Sequence, residues 1–478
     1  MKSQLLRAAG ILRSEGPVAL MTRSASYGYR RFAARFQQQA PCAEVSPCPE
    51  AAARPDSVTR ADPLDRQNEL QAAADLEAKV VVMKAGPVSL TIESTTYCNI
   101  KCVMCPQALA DFEQQHLDEK LLEKLTPYIQ AAKRIQLHGI GEVLVSRTFW
   151  SALDTITHTH TGTPFLSINT NALLLNEKNA ARLLASKISE LNVSFDATTA
   201  DTYQKIRGGD FNKLLNNVRG FMRAREAAGR HDLRVVMNMT LMRANIEELP
   251  DFIRMAKELG ADEVQYWRMN DGDFYHAQKW VVQKGDWRFS YLDELPMYYP
   301  NLFNSTIREA LRVGEEIGMS ICKYTSDSAM VDGEGTVEDR HYDPYRVEPA
   351  NPLQIVTLEP PAAAPQCVQE AAPAANQTAA EDAQAKTYRV DGATPSQRPK
   401  SEMIRACNAP WHWMMVRKDG GCAPCCHMLP IGNLNQETPE EFWNGPAMQE
   451  IRSAIAVGEV SRYCAGASCP YVRDVVQP

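Results

Sequence analysis

What this sequence lacks narrows the reading first. It has no apolar run near the roughly 18 residues that a membrane span needs. It has no excess of basic charge: the formal balance is −7, so no overall field draws the chain to nucleic acid. Its start has no continuous apolar stretch of the secretory kind, so a reducing cytoplasm is expected. It shows neither a collagen period nor the composition of a disordered chain, with 44% hydrophobic and 23% charged residues. At 478 residues it can bury a core without covalent staples, which excludes a small disulfide scaffold.

Cysteine is what the chain has in quantity. Thirteen are present, unevenly placed. Cys98, Cys102 and Cys105 form one set, and Cys407, Cys422, Cys425, Cys426, Cys464 and Cys469 another. Cys42, Cys48, Cys322 and Cys367 are scattered. An odd total in two tight sets fits metal ligation better than a disulfide framework.

Five stretches differ in composition. In residues 1–40 seven basic residues face the single acid Glu15, with Leu5, Leu6, Ile11, Leu12, Val18, Leu20 and Phe32 near helical spacing. That is a basic amphipathic leader, suited to peripheral contact with the inner face of a membrane, to a partner, to a transit peptide, or to packing on its own domain. Residues 41–87 read as a linker. Residues 88–325 alternate strands and helices. Residues 326–402 form an insertion with a low-complexity run of Ala, Pro, Gln and Glu. Residues 403–478 are a small cysteine-rich domain.

Within 88–325, β-branched runs begin near Val88, Ile135, Pro164, Glu190, Leu233 and Glu263. Helical patterns lie between them, for example at 118–132, 176–187, 211–228 and 246–259, and another at 301–317. Met319–Tyr324 could add a strand. Strand–helix alternation predicts right-handed βαβ units and a parallel sheet. Six repeats suit a partial (β/α)6 barrel, with chemistry at the carboxyl ends of the strands. Residues 266–299 hold ten aromatic residues, suited to core and cap packing or to stacking on sugar faces.

The first cysteine set follows the first strand as C-x3-C-x2-C. Three thiolates in one loop can hold three irons of a 4Fe–4S cube and leave the fourth open. Structural zinc would want a fourth ligand, and His116 is the only nearby candidate.

This spacing resembles the radical S-adenosylmethionine (SAM) superfamily, and further motifs match in order. Gly139, Gly141 and Glu142 resemble the family's glycine-glycine-glutamate turn, with Ile140 between the glycines and Val143 in place of proline. Thr170 and Asn171 resemble its Thr-Asn pair, with Ala172 where Gly is usual. Ser194 and Arg207 resemble positions beside the SAM ribose and methionine carboxylate, and Met242 a position near adenine. Asp196 is read as orienting its loop. The resemblance implies that the open iron binds SAM. It also implies that an electron from a flavodoxin- or ferredoxin-type donor cleaves SAM to a 5′-deoxyadenosyl radical, which abstracts hydrogen from a substrate C–H bond.

The second set resembles the SPASM/Twitch extension of this superfamily. Twelve residues separate Cys407 from Gly420 and four separate Gly420 from Cys425, with Ile431–Leu434 and Glu440–Trp443 downstream. The resemblance implies one auxiliary 4Fe–4S cluster on Cys407, Cys425, Cys464 and Cys469, with Cys422 and Cys426 as spares or alternate ligands. Four cysteines also suit zinc, and His412 and His427 are read as neighbours of the site rather than ligands. A fully ligated cube can only relay electrons.

Three functions are therefore weighed. The main expectation is an oxidoreductase or epimerase acting on a small polyol or sugar-like molecule, with Cys322 a candidate hydrogen donor. The alternative is peptide or protein modification by thioether or C–C crosslinking, or sulfatase-type maturation. The third is a non-enzymatic iron–sulfur or zinc protein, against which the ordered SAM motifs argue.

Overall fold

The architecture is that of a computed structural model, described over residues 63–109, 112–269, 280–322, 330–331, 333–342, 355–357, 403–405, 407–425, 428–464 and 472–474. The basic leader, Cys42, Cys48, Cys367, Cys426, His427 and Cys469 lie outside the described residues.

Helix α1 (Leu64–Glu77) precedes strand β1 (Ser89–Ile92). Then follow α2 (Glu119–Ala131), β2 (Arg134–Leu137), α3 (Arg147–Thr159), β3 (Phe165–Thr170), α4 (Glu177–Leu184) and β4 (Glu190–Ser194). Next come α5 (Ala200–Ile206), α6 (Phe211–Ala227), β5 (Arg234–Leu241), α7 (Leu249–Leu259) and β6 (Glu263–Arg268). A hairpin of β7 (Val281–Lys284) and β8 (Trp287–Ser290), helix α8 (Pro300–Ile317) and β9 (Ile355–Thr357) come after the sixth strand. The C-terminal region holds β10 (Met403–Arg405), α9 (Ala409–His412), β11 (Trp413–Val416), β12 (Gly421–Ala423), β13 (Gly432–Asn433), α10 (Pro439–Trp443), α11 (Pro446–Ala456) and β14 (Val472–Asp474).

Strands β1 to β6 are parallel and lie in chain order, as the alternation predicts. Their apolar residues, such as Leu90, Ile92, Ile135, Leu137, Leu166 and Ile168, are fully buried in one core with the helices. Capping residues start the helices where the sequence turns: Asp118, Ser146, Asn176 and Asp210 each accept a bond from a first-turn amide. Cys322 donates its amide to Val264 and Ile321 bridges Val264, so the segment after α8 continues the sheet beside β6. The sheet is an open, partial barrel: its two ends are not paired with each other among the described residues.

Two features depart from the sequence reading. The expected linker 41–87 contains α1, followed by an extended segment gripped by side chains from the C-terminal region. Trp411 Nε1 donates to Val80 O at 2.9 Å, Arg452 to Val81 O at 3.0 Å, and Trp443 Nε1 to Ala85 O at 2.8 Å. Asn444 takes both the amide and the carbonyl of Met83. Secondly, the C-terminal region pairs β10 with β14 in a small antiparallel sheet, but its other strands join the main sheet. Strand β11 pairs in parallel with β1, and β12 and β13 extend the same sheet to nine strands. The early part of the 326–402 insertion also docks: Asp339 accepts the Asn301 and Leu302 amides at the start of α8.

Candidate active site

The site grows from the end of β1. Leu117 N bonds to Ser94 O and Thr96 N to Gln115 O, which closes the loop carrying the first cysteine set. Within it Cys105 N donates to Cys102 O at 3.1 Å, and Val103 N donates to Ile206 O at the end of α5 at 2.9 Å. Cys102 is buried, and Cys98 and Cys105 are half-buried. Burial pushes the Cys105 thiol up to about 12 and raises those of Cys98 and Cys102 as well, and a Cys102 thiolate raises both of its neighbours further. Three thiolates so placed repel one another until a cationic centre lies among them, which is what a cube supplies. No three described His, Cys, Asp or Glu side chains gather around one ion position, and a cube, with one thiolate per iron, needs no such convergence.

The glycine turn after β2 presses on this loop. A Cβ on Gly141 would lie 2.5 Å from Thr95 O and 2.6 Å from Tyr97 O, so only glycine fits. A Cβ on Gly139 would strike the Glu93 side chain at 2.3 Å. Glu142 N bonds to Tyr97 O at 2.9 Å. The buried Glu142 carboxylate accepts from Thr170 Oγ1 at 2.7 Å and Asn171 N at 2.6 Å. Glu142 and Thr170 thus lock the β2 turn to the end of β3. Asn171 Nδ2 lies 3.7 Å from Cys98 Sγ and 2.7 Å from Asn99 Oδ1. Ala172, at the usual glycine position, takes φ 56°, the left-handed region that glycine favours.

Ser194 ends β4 and is half-buried, in register with Asn238 of β5, Gln265 of β6 and then Cys322. In a parallel sheet such neighbours share a face, and Gln265 Nε2 lies 3.9 Å from Cys322 Sγ. Arg207 caps α5 and is buried against Asp196, with which it forms an ion pair. Asp196 also accepts the Thr240 amide at 2.6 Å, so it does orient the loop. The Arg207 Nε is buried without a hydrogen-bond partner among the described residues, and the Tyr203 hydroxyl lies against the same guanidinium. An open donor beside a cluster loop suits an anionic ligand there. Met242 is fully buried in an apolar group with Val103, Ile206 and Trp280.

The second site is formed around the C-terminal hairpin. Cys425 and Cys464 are buried, and Cys407 packs against the same core. Cys422 is buried in β12, with its thiol donating to Gly420 O at 3.4 Å. Gly420 takes φ 79°, and a Cβ there would meet Asn435 at 2.8 Å. His412 Nδ1 lies 3.2 Å from Asn408 O in its own helix. The sequence reading missed Glu93, which accepts the Ile140 amide at 3.0 Å and is signalled only as an acid ending an apolar strand. It also missed Lys284, for which no local signal exists; Trp280 belongs to the aromatic stretch 266–299 that the sequence singled out.

The model of the radical SAM superfamily matches residues 92–256, and that of an iron–sulfur cluster-binding domain, SPASM, matches 407–470. The chain belongs to the radical SAM superfamily and carries a C-terminal SPASM domain. A SAM-binding 4Fe–4S cluster, SAM and auxiliary iron–sulfur ligation are its cofactors. The mycofactocin maturase MftC of Mycobacterium ulcerans is 29% identical over 177 residues, which cover 37% of this chain and 46% of that protein. A GTP 3′,8-cyclase of Geobacter sulfurreducens is 33% identical over 172 residues, 35% of this chain and 50% of that one. The chain thus spans about half the length of these relatives. Among solved structures, Streptococcus suis SuiB bound to precursor peptide SuiA has TM-score 0.49 and 13% identity, over 95% of this chain and 87% of that chain.

Proposed function

We propose that this radical SAM enzyme is a maturase that modifies a peptide. The observation that carries the reading is its similarity to mycofactocin maturases over 37% of the chain, together with a site whose parts meet at one loop. The polyol or sugar substrate finds no comparable support. In the aromatic stretch, Trp280, Trp287 and Phe289 pack in a buried cap, the core-and-cap reading of that segment, and so are not exposed to stack on a sugar.

When bound, the cube and SAM supply hydrogen abstraction from an unactivated C–H bond. The thiols of Cys98, Cys102 and Cys105 hold the cube. Gly139 and Gly141 let backbone approach closely, and Glu142 fixes that turn against Thr170 and Asn171. Ser194 and Arg207 orient SAM, Arg207 through the donor that Asp196 leaves open. Met242 and the aromatic cap exclude water. Cys407, Cys425 and Cys464, with Cys469, hold the auxiliary cluster, whose role is to pass an electron, making the reaction an oxidoreduction. A flavodoxin- or ferredoxin-type partner supplies electrons. No helix of the described residues is long and apolar enough to cross a membrane, and peripheral contact through residues 1–40 is part of this proposal.

The test is incubation with SAM, dithionite and synthetic copies of short peptides encoded beside the gene. A peptide changed in mass by a C–H modification supports the reading. Turnover of a nucleotide or sugar with all such peptides unchanged would overturn it.

A further inference from the structure

The β7–β8 hairpin lies outside both family matches, yet it is built against the cluster loop. Lys284 pairs with Trp287 across the hairpin, and Trp280, Val282, Trp287 and Phe289 bury their side chains in an apolar group with Val103 and Ile206. Trp280 Nε1 donates to Val103 O at 2.6 Å, one residue from Cys102. The Lys284 ammonium donates to Gln204 O at 3.1 Å and Lys205 O at 2.9 Å, the last carbonyls of α5. The next carbonyl, that of Ile206, takes the Val103 amide. The hairpin therefore grips the cluster loop directly through Trp280 and indirectly through the end of α5.

Lys284 also brings charge. It is half-buried. A Cβ added to Gly208 would lie 3.2 Å from its Nζ and 3.6 Å from Lys101 O, so the ammonium and the backbone that leads into Cys102 both border Gly208. Arg207 is already paired with Asp196, whereas Lys284 donates to the neutral carbonyls of Gln204 and Lys205. Burial lowers the Lys284 pKa, but neither of those two partners is a counter-ion, and water screens poorly in the cap.

We propose that Lys284 is a positioning residue for the SAM-binding cube, whose ammonium eases the cube's one-electron reduction. An external reductant supplies the electron, which adds one negative charge to the cube. A nearby fixed cation stabilises the more negative state and so raises the potential. The inference rests on the cube's being held by Cys98, Cys102 and Cys105.

The experiment is a dithionite titration of the reconstituted full chain, followed by electron paramagnetic resonance. The SAM-binding cube is identified as the signal that changes on adding SAM and is absent in Cys102→Ala. Wild type is compared with Lys284→Gln and Lys284→Arg, each checked for iron content and circular dichroism. The expected result is a midpoint shifted to more negative potential in Lys284→Gln and held near wild type in Lys284→Arg. Unchanged potential in Lys284→Gln, or equal shifts in both, would overturn the role of charge. If Lys284→Gln cannot hold the cube while Lys284→Arg does, the role of charge in positioning stands. If neither holds it, charge is not the determinant and the proposal fails. Persistence of that signal in Cys102→Ala would instead sink the ligand assignment, and this inference with it.

Discussion

Arg207 shows how a residue's role depends on what faces it. Its position in the sequence suggests a partner for a carboxylate, and the structure gives it one inside the protein, Asp196. The open Nε is what remains for SAM. Arg207→Ala would leave Asp196 buried and unpaired at a cost of about 3–5 kcal/mol, so it tests folding more than binding. Arg207→Lys keeps the charge and loses the planar fork. It is expected to weaken SAM binding by about tenfold, or ~1.4 kcal/mol, measured by calorimetric titration of the reconstituted enzyme. An unchanged dissociation constant would confine Arg207 to the loop. Glu294 offers a second test at this scale. It is fully buried, accepts from Tyr342 Oη at 2.6 Å and Ala244 N at 2.7 Å, and burial pushes its carboxyl up to about 7. A carboxyl whose folded value lies above its unfolded one favours folding when protonated, and that advantage is lost as pH rises through about 7. The melting temperature should therefore fall between pH 6 and 8 in wild type and fall less in Glu294→Gln. Equal falls in scanning calorimetry would contradict this. The thiols and glycines of the site were legible because their chemistry is local. Asp196's hold on Arg207 and the place of Lys284 depend on contacts that no spacing encodes.

At the scale of elements, the six parallel strands were legible because strands buried on both faces read as β-branched runs. Observed β5, Arg234–Leu241, falls within the run expected from Leu233. Helix α1 was hidden because its sequence has no apolar stripe. It is held instead by polar side chains: Asp75 accepts the Lys84 and Ala85 amides, and Asn68 accepts the Gly86 amide. The parallel pairing of β11 with β1 joins residues more than three hundred apart, as Ser89 to Trp413, and no local pattern reports such a partner. The grip of Trp411, Trp443 and Arg452 on residues 80–85 then ties the SPASM domain to the core. Trp443 is fully buried, stacks under the Arg452 guanidinium at 4.7 Å and donates to Ala85 O. Trp443→Ala should cost about 3–5 kcal/mol of stability, read from urea unfolding. A change within ±0.5 kcal/mol, the usual size at a surface position, would show that this contact does not hold the domains together.

For the molecule as a whole, one sheet carries both sites. The first cysteine set follows β1, and the hairpin that bears Cys422 and leads to Cys425 continues the sheet from that same strand. Both cysteine sets are thus tied to one sheet, the first through the end of β1 and the second through the β11–β12 hairpin that continues from that strand. The account's central claim is that Cys98, Cys102 and Cys105 hold a cube that cleaves SAM. The most direct measurement is mass-spectrometric detection of 5′-deoxyadenosine after anaerobic incubation of the reconstituted chain with SAM and dithionite. The account predicts about eight irons per chain in wild type, 5′-deoxyadenosine formation, and none in Cys102→Ala. Wild-type protein with its full iron that forms no 5′-deoxyadenosine, or a Cys102→Ala variant that forms as much as wild type, would contradict it.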